Sequence, residues 1–172
     1  MHKKLIIING TMGVGKSATC RELNKSLDNS VWLDGDWCWM MNPFLVNDEN
    51  KTMVINNITY LLRSFINNSS IQYIIFNWVI HTEDIFDTVL EPLKDLEFDV
   101  IKITLTCSEE ALKNRIGKDI QTNLRDESSI DRSLKRLELY SNMSTIKLDT
   151  SKLSIAEVVE SIIKIVKETE QK

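Results

Sequence analysis

GTMGVGKS, residues 10–17, lies between an apolar run and a helical pattern. Its residues are Gly10, Thr11, Met12, Gly13, Val14, Gly15, Lys16 and Ser17. The stretch fits Gly-x-x-x-x-Gly-Lys-Ser/Thr without a mismatch, and it follows the β-branched run Leu5–Ile8, which is typical of a strand buried on both faces. A chance match in a glycine-containing turn is the alternative. The strand before it and the helix after it favour a loop that binds the phosphates of a nucleoside triphosphate.

Each residue type in this pattern has a physical role. Glycines allow the backbone to curl so that successive N–H groups point at phosphate oxygens. The following helix, which includes Ala18, adds the positive end of its dipole. Lys16 is long enough to reach the β- and γ-phosphates, and the Ser17 hydroxyl is suited to bind Mg²⁺. The loop therefore predicts ATP and Mg²⁺ as cofactors.

Apolar runs and helical patterns alternate along the rest of the chain. We expect strands at 5–8, 31–33, 73–76, 100–106 and 145–148, and helices at 16–27, 48–66, from 82, at 108–116, 130–140 and 155–167. Alternation of this kind predicts an α/β fold with a mostly parallel five-stranded sheet and helices on both faces. We find no linker or internal repeat, and we expect a single domain over 1–172.

The composition is that of an ordinary globular chain, with 42% hydrophobic and 27% charged residues. A net charge of −4 makes nucleic acid an unlikely partner. Three widely spaced cysteines suit a reducing compartment, and no segment has the length of a secretory signal or a membrane span. We therefore expect a cytoplasmic protein with no membrane partner, either a monomer or a homodimer.

Two carboxylates follow the second predicted strand in LDGDWCWMMNPF, residues 33–44. Ligands of open α/β sheets bind outside the carboxyl ends of the strands, so Asp34 and Asp36 are expected near the phosphate loop if the first two strands are close neighbours. One carboxylate is suited to hold Mg²⁺, and the other to accept the proton of an attacking hydroxyl. The alternative is that either residue only caps a turn or helix.

The chain resembles the small P-loop kinases, which include shikimate kinase, gluconate kinase, chloramphenicol phosphotransferase and the nucleoside monophosphate kinases. The resemblance rests on GTMGVGKS, on LDGD, on a lid region after the fourth strand, and on the ending IKLDTSKLSIAEVVESI. It implies the three-layer α/β/α sandwich of P-loop NTPases with a small lid at about 117–128. It also implies that Asp34 serves the metal and that Asp36 serves the acceptor hydroxyl.

The lid region is basic, with seven Lys or Arg against four acids over residues 113–136. By resemblance, Arg115 packs against adenine and Arg125 meets the phosphates, with Arg132 and Arg136 as alternatives for the second role. The Asp149–Ser151 turn is placed near adenine on the same ground. The alternative for each arginine is a solvated helix face or a surface ion pair.

Aromatic side chains accompany the two aspartates and the end of the third strand. We predict that they wall the acceptor pocket and exclude water, together with one histidine: Trp37, Trp39, Phe44, Trp78 and His81. A place in the core is the alternative for the aromatic residues, and a structural role is the alternative for the histidine.

These features predict an ATP-dependent phosphotransferase that acts on a hydroxyl of a small molecule, with Lys16, Asp36 and Arg125 as catalytic residues. No arginine lies between the second predicted strand and Arg63, where one would clamp an anionic acceptor, and this favours an uncharged acceptor. A nucleoside or nucleotide kinase is the alternative enzyme. A nucleotide-dependent regulatory NTPase is the alternative from another class, and the third strand, which ends in Asn77 rather than Asp, counts against it.

Overall fold

The computed structural model describes residues 2–122, 126 and 128–169. Strands and helices alternate within it in the following order: β1 (Lys4–Asn9), α1 (Lys16–Ser26), β2 (Ser30–Asp34), a 3₁₀ helix (Gly35–Trp39), α2 (Asp48–Asn67), β3 (Tyr73–Asn77), α3 (Glu83–Leu90), a second 3₁₀ helix (Glu91–Leu93), β4 (Asp99–Thr106), α4 (Glu109–Gln121), α5 (Ser128–Ser141), β5 (Ile146–Asp149) and α6 (Ile155–Glu168). Among these residues, no helix combines the length and apolar character that crossing a bilayer requires.

The five strands form one sheet in the order β2-β3-β1-β4-β5, and all four pairings are parallel. The predicted α/β fold, with helices on both faces, is confirmed. The sequence left open whether the first two strands are close neighbours, and in the structure β3 lies between β1 and β2. The carboxyl ends of β1 and β3 are therefore direct neighbours, and β2 is an edge strand.

Side chains of β1 alternate between two hydrophobic cores, one on each face of the sheet. Ile6 and Ile8 face the core formed with α1, α4 and α6, whereas Leu5 and Ile7 face the core formed with α2 and α3. All four are fully buried. This explains why the strand is a continuous apolar run rather than an alternating one.

Helix α4 is longer than the sequence pattern indicated. We predicted its end near Ile116 and an irregular lid over 117–128, but the helix continues to Gln121, so the prediction is wrong for 117–121. Ile120 packs against the same core as Ile116, one helical turn away, and this contact extends the apolar stripe. Helix α5 begins at Ser128, two residues earlier than expected.

Candidate active site

The glycines of the loop between β1 and α1 have conformations that other residues rarely adopt. Gly10 and Gly13 have φ values of 140° and 83°. A Cβ on Gly10 would lie 2.6 Å from the carbonyl oxygen of Leu105, and one on Gly13 would lie 2.5 Å from Cγ1 of Ile116. Backbone curvature and close packing therefore both require glycine, and the loop is held against β4 and α4.

Lys16 is held inside the loop. Its Nζ donates hydrogen bonds to the carbonyl oxygens of Gly10 at 2.9 Å and Thr11 at 3.0 Å, and the residue is 8% exposed. Helix α1 begins directly after Gly15, so the N–H groups of its first turn point toward the same loop. An ammonium group and a helix N-terminus thus converge where the sequence predicted a bound phosphate.

The loop is also anchored to α5. The Thr11 hydroxyl donates a 3.0 Å hydrogen bond to the carbonyl oxygen of Ser133, and both residues are buried. This hydrogen bond holds helix α5 against the phosphate loop, although the two partners are 122 positions apart in the chain.

Ser17 and Asp34 meet despite the strand that separates β1 from β2. The Ser17 Oγ donates a 2.7 Å hydrogen bond to Oδ2 of Asp34, and Asp34 is only 5% exposed. Ser17 reaches this carboxylate because it belongs to the first turn of α1 rather than to the sheet. The two residues that the sequence suggested as metal ligands are therefore in direct contact.

Asp34 also caps the turn that follows β2. Its Oδ1 accepts a 3.1 Å hydrogen bond from the backbone N–H of Asp36, which lies in the first turn of the 3₁₀ helix. The two carboxylate oxygens of Asp34 therefore have different partners, the Ser17 hydroxyl and the backbone N–H of Asp36. Asp36 is exposed and lines the same cleft as the phosphate loop.

The chemistry of this pair suits a hard cation. A buried carboxylate and a hydroxyl lie in contact, and Mg²⁺ is usually bound by one or two such oxygens together with phosphates and water. Within the described ranges, no group of three or more His, Cys, Asp or Glu forms an all-protein metal cage. Ser17 and Asp34 therefore fit Mg²⁺ that arrives with a nucleotide.

Cys20 lies on α1 near these charges and is fully buried. Burial raises the pKa of its thiol well above the ordinary value, and the negative charge of Asp34 raises it further, while Lys16 opposes the shift. The thiol is consequently neutral at physiological pH, and it serves packing rather than nucleophilic chemistry.

A cleft of about 580 Å³ opens over the loop. Residues from the loop, the 3₁₀ helix, the β3 exit, α4 and the segment before and within α6 line it: Met12, Gly13, Val14, Gly15, Lys16, Ser17, Ala18, Thr19, Asp36, Val79, Arg115, Lys118, Asp119, Thr150, Leu153, Ser154, Ile155 and Val158. The volume is in the range of ligand pockets, and the lining changes from polar at the loop to apolar at α6.

Arg115 joins three parts of this cleft. Its guanidinium donates to the carbonyl oxygen of Val14 at 3.0 Å, and to Oγ1 and the carbonyl oxygen of Thr150 at 3.0 and 2.6 Å. The fixed fork of the guanidinium suits such a double contact. The structure therefore brings the loop, α4 and the 149–151 turn together, as the resemblance implied.

The 149–151 turn is stabilised by its own polar side chains. The Asp149 carboxylate accepts hydrogen bonds from the hydroxyl of Ser151 at 2.5 Å and from its backbone N–H at 2.8 Å. These bonds lower the pKa of Asp149 from its ordinary value. The Ser151 hydroxyl in turn accepts a 2.7 Å bond from the N–H of Ser108, which fixes the turn against the start of α4.

The tryptophans of the 3₁₀ helix point in different directions. Trp37 is 50% exposed and lies 4.8 Å from Trp32 between ring centroids. Trp39 is half-buried and lies 5.8 Å from the ring of Phe44, which is 66% exposed. Among the described residues, none of the three predicted aromatics in this segment lines the phosphate cleft itself. Their role at the acceptor stays a prediction.

Trp78 and His81 follow β3, beside the phosphate loop. Trp78 packs against Gly35, where an added Cβ would lie 2.6 Å from Cγ of the indole. His81 is half-buried, and its Nδ1 is a buried atom without a hydrogen-bond partner among the described residues. Such an atom is normally satisfied by water or a ligand. Val79, between the two, is the residue of this segment that lines the cleft.

The candidate lid arginines have different settings. Arg125 lies outside the described residues. Arg132 forms an exposed ion pair with Asp126 at 3.2 Å, the alternative that the sequence left open for it. Arg136 is half-buried on α5, on the helical face that also carries the buried Ser133.

Sequence reasoning missed the apolar end of the cleft. Leu153, Ser154, Ile155 and Val158 line it, and Ile155 is 42% exposed. The available signal was the capping pair of Ser154 and Glu157, which fixes the start of α6 and leaves Ile155 in its first turn.

The strand order, the glycine loop and the Ser17–Asp34 contact together define a P-loop protein. A family model described as an AAA domain matches residues 6–135, which is more than half of the chain, so the chain belongs to this family. No curated protein sequence matches it.

Several solved structures share the fold over nearly the whole chain. The tunicamycin resistance protein of Deinococcus radiodurans matches with a TM-score of 0.71 at 21% identity, covering 96% of each chain. Shikimate kinase from Acinetobacter baumannii matches at 0.65 and 18% identity, covering 99% of this chain and 96% of its own. A gluconokinase from Sinorhizobium meliloti 1021 matches at 0.64 and 16%, covering 92% and 87%. The resemblance to P-loop kinases is confirmed at the level of the fold.

Proposed function

We propose that this protein transfers the γ-phosphoryl group of Mg-ATP to a hydroxyl group of a small molecule. The observation that carries the proposal is that Asp36 lines the same cleft as Lys16 and Ser17. A carboxylate beside a phosphate loop is what a kinase needs to orient an attacking hydroxyl. The names of two structural neighbours, a gluconokinase and a shikimate kinase, are in keeping with this class.

In the proposed reaction, the loop N–H groups and Lys16 hold the triphosphate. Ser17 and Asp34 would hold Mg²⁺, which would supply positive charge against the negative charge of the phosphates. The acceptor oxygen forms a bond to the γ-phosphorus while the bond from that phosphorus to the β-γ bridging oxygen breaks, and ADP leaves. Asp36 accepts the hydroxyl proton. Arg125, or Arg136 in its place, stabilises the negative charge of the transferring group.

The nucleotide base is proposed to lie at the apolar end of the cleft. Arg115, whose planar guanidinium is of a kind that stacks on rings, lines this cleft together with Leu153 and Ile155, which offer apolar surface. The partial exposure of Ile155 supports this assignment, because an apolar side chain in a cleft is well placed to cover a flat ring.

A nucleoside kinase is the second candidate for the acceptor class. The observation in its favour is the group of aromatic rings around the 3₁₀ helix, with Trp37 half exposed and Trp39 in contact with Phe44. Exposed indoles stack readily on bases. A regulatory NTPase is the remaining alternative, and it differs because no small acceptor would raise its turnover.

The proposal is tested by measuring ADP release from Mg-ATP with purified protein. The protein is assayed alone and then with pooled nucleosides, nucleotides, sugar acids, polyols and hydroxyl-bearing antibiotics, including tunicamycin, the compound that names one neighbour. We expect a slow background that rises sharply with one pool, and a phosphorylated product in that pool.

The matched variants are Lys16→Ala and Lys113→Ala. Lys16→Ala is expected to abolish the stimulated rate, whereas Lys113, an exposed lysine of α4 that pairs with Glu109, is expected to be replaceable without effect. An undiminished rate in Lys16→Ala contradicts the assignment of the phosphate loop. If no pool raises the rate and only partner proteins do, the regulatory alternative replaces the kinase.

A further inference from the structure

A second concave site lies beside the 3₁₀ helix, on the side of α2. It has a volume of about 340 Å³ and is lined by eight residues: Trp37, Cys38, Met40, Met41, Met53, Asn57, Tyr60 and Leu61. The four residues from α2 are spaced by four, three and one positions, so they form one face of that helix. We call this site the side groove.

The 3₁₀ helix joins the side groove to the phosphate cleft. Such a helix has three residues per turn, so residues 36 and 39 share one side of it, while Trp37 and Cys38 project from the other sides. Asp36 lines the phosphate cleft, and Trp37 and Cys38 line the side groove. The proposed acceptor carboxylate and two residues that line an apolar cavity therefore belong to the same turn of this helix.

Among the described residues that line the side groove, none is charged. Six of its eight residues are apolar, and Asn57 and Tyr60 are neutral. Large apolar side chains are nevertheless left exposed around it, to 85% for Met40, 50% for Trp37 and 40% for Met53. Exposed apolar surface of this size, grouped around a concavity, marks binding sites on soluble proteins.

We propose that the acceptor is an uncharged amphiphile whose apolar arm occupies the side groove while its hydroxyl group meets Asp36. This inference rests on the proposed kinase function and names the substrate class for it. It accounts for the lack of any arginine between β2 and Arg63 and between β3 and β4, since an acceptor without an anionic group needs no cationic clamp.

The size of the side groove favours a small-molecule arm over a protein partner. Since a water molecule occupies about 30 Å³ in the liquid, the groove has room for roughly ten groups of that size. An alkyl chain or a ring system of eight to ten carbons, by the same rough measure, is of this size. A protein interface usually involves about 20–30 residues on each side, which is well above the eight that line this site.

The experiment measures binding without nucleotide, so that it does not depend on phosphoryl transfer. A series of n-alkyl β-glucosides, from methyl to octyl, is titrated below the critical micelle concentrations and followed by calorimetry and tryptophan fluorescence. Because burial of a methylene contributes about 0.8 kcal/mol, we expect the dissociation constant to fall about two- to fourfold with each added methylene.

Variants assign the binding to the side groove. Met53→Glu introduces a charge at an exposed helical position and is expected to weaken octyl glucoside binding about tenfold or more. Leu139→Glu, at a similarly exposed position of α5, is the matched control and is expected to have no effect. Asn57→Leu replaces a polar lining group with an apolar one of similar size and is expected to strengthen binding about twofold.

Each outcome separates the inference from the proposed function. The inference is overturned if the dissociation constant does not depend on alkyl chain length, even if a kinase acceptor is found. It is also overturned if neither Met53→Glu nor Leu139→Glu changes the binding. Chain-length-dependent binding that Met53→Glu removes supports the site even if no acceptor is phosphorylated, in which case only the kinase proposal fails. Sedimentation tests whether the groove instead binds a second copy of the chain. A dimer that persists in octyl glucoside and is dissociated by Met53→Glu assigns the groove to that second copy, and it also overturns the inference.

Discussion

The Ser17 hydroxyl donates a 2.7 Å hydrogen bond to Oδ2 of Asp34, which joins the first turn of α1 to the end of the edge strand β2. The contact places a hydroxyl and a nearly buried carboxylate together at the mouth of the phosphate loop. Asp34 uses its other oxygen to cap the 3₁₀ helix that carries Asp36. The proposed metal site and the proposed acceptor carboxylate are thus linked through one side chain.

Asp34→Asn is expected to weaken Mg²⁺ binding while leaving the fold intact. The amide keeps the cap oxygen but removes the negative charge, so the apparent Mg²⁺ affinity for nucleotide binding should fall about 10- to 100-fold, as for other groups that support a metal. The measurement is a Mg²⁺ titration of ATP binding by calorimetry. Asp48→Asn, at an exposed position of α2, is the control. An unchanged titration in Asp34→Asn would remove this residue from the metal site.

Asp36→Asn is expected to separate catalysis from nucleotide binding. Asp36 lines the cleft as an exposed side chain, and loss of a general base typically costs about 10²- to 10⁴-fold in rate. The stimulated kcat should therefore fall by that amount, while the dissociation constant of ATP changes less than about twofold. Equal losses in the two quantities would assign Asp36 to the nucleotide instead of the acceptor.

Arg115→Lys is expected to loosen the junction between the phosphate loop and the 149–151 turn. Lysine cannot reproduce the paired contacts to Val14 and Thr150, so the free energy of unfolding should fall by about 1–3 kcal/mol and ATP affinity should fall with it. Urea denaturation and calorimetry measure the two effects. Arg132→Lys, whose parent arginine makes only an exposed ion pair, should change neither by a comparable amount.

Gly35→Ala is expected to disturb Trp78. The new methyl group would lie 2.6 Å from Cγ of the indole, and overpacking of this kind typically costs about 1–3 kcal/mol. The fluorescence spectrum and the urea midpoint should both shift. Gly117→Ala is the matched control, because a Cβ there meets open space within α4 and should stabilise the protein by about 0.5–1 kcal/mol. Equal behaviour of the two variants would contradict the packing at Gly35.

Glu157→Gln is expected to change how the melting temperature depends on pH in the acidic range. Hydrogen bonds from the hydroxyl and N–H of Ser154 lower the pKa of Glu157 in the folded state. A lowered folded-state pKa stabilises the protein above the unfolded-state value of about 4.3, and this contribution is lost as pH falls through the folded-state pKa. The variant should therefore melt at a lower temperature than the parent at pH 7, and the difference should close below about pH 4. A constant difference across that range would contradict the assignment.

Local sequence signals predicted most of the fold. The apolar run of β1, the glycine loop and the polar caps of the helices each depend on neighbours within a few residues, and the structure has them close to the expected positions. Ser108 and Ser154, for example, both cap helices that follow strands, through contacts three residues along the chain. Such contacts can be predicted because short-range geometry determines them.

The arrangement of the site could be predicted only in part. The sequence singled out the loop residues, Asp34 and Asp36, but it left open whether β1 and β2 are close neighbours. Strand β3 lies between them, and Ser17 reaches Asp34 through α1. The sequence pattern also ended α4 before Ile120, because a single isoleucine after a glycine is a weak helical signal until the core that it packs against is present.

The sequence by itself determined the chemistry of the phosphate loop, since eight consecutive residues carry the pattern and their backbone provides the binding groups. Only the tertiary structure decided which cavity or core each surrounding side chain lines. Asp36 lines the phosphate cleft while Trp37, the next residue, lines the side groove, and Ile155 of an amphipathic helix lines a cleft rather than the core. These directions depend on packing between segments that are distant in the chain, and periodicity along one segment cannot specify its partner.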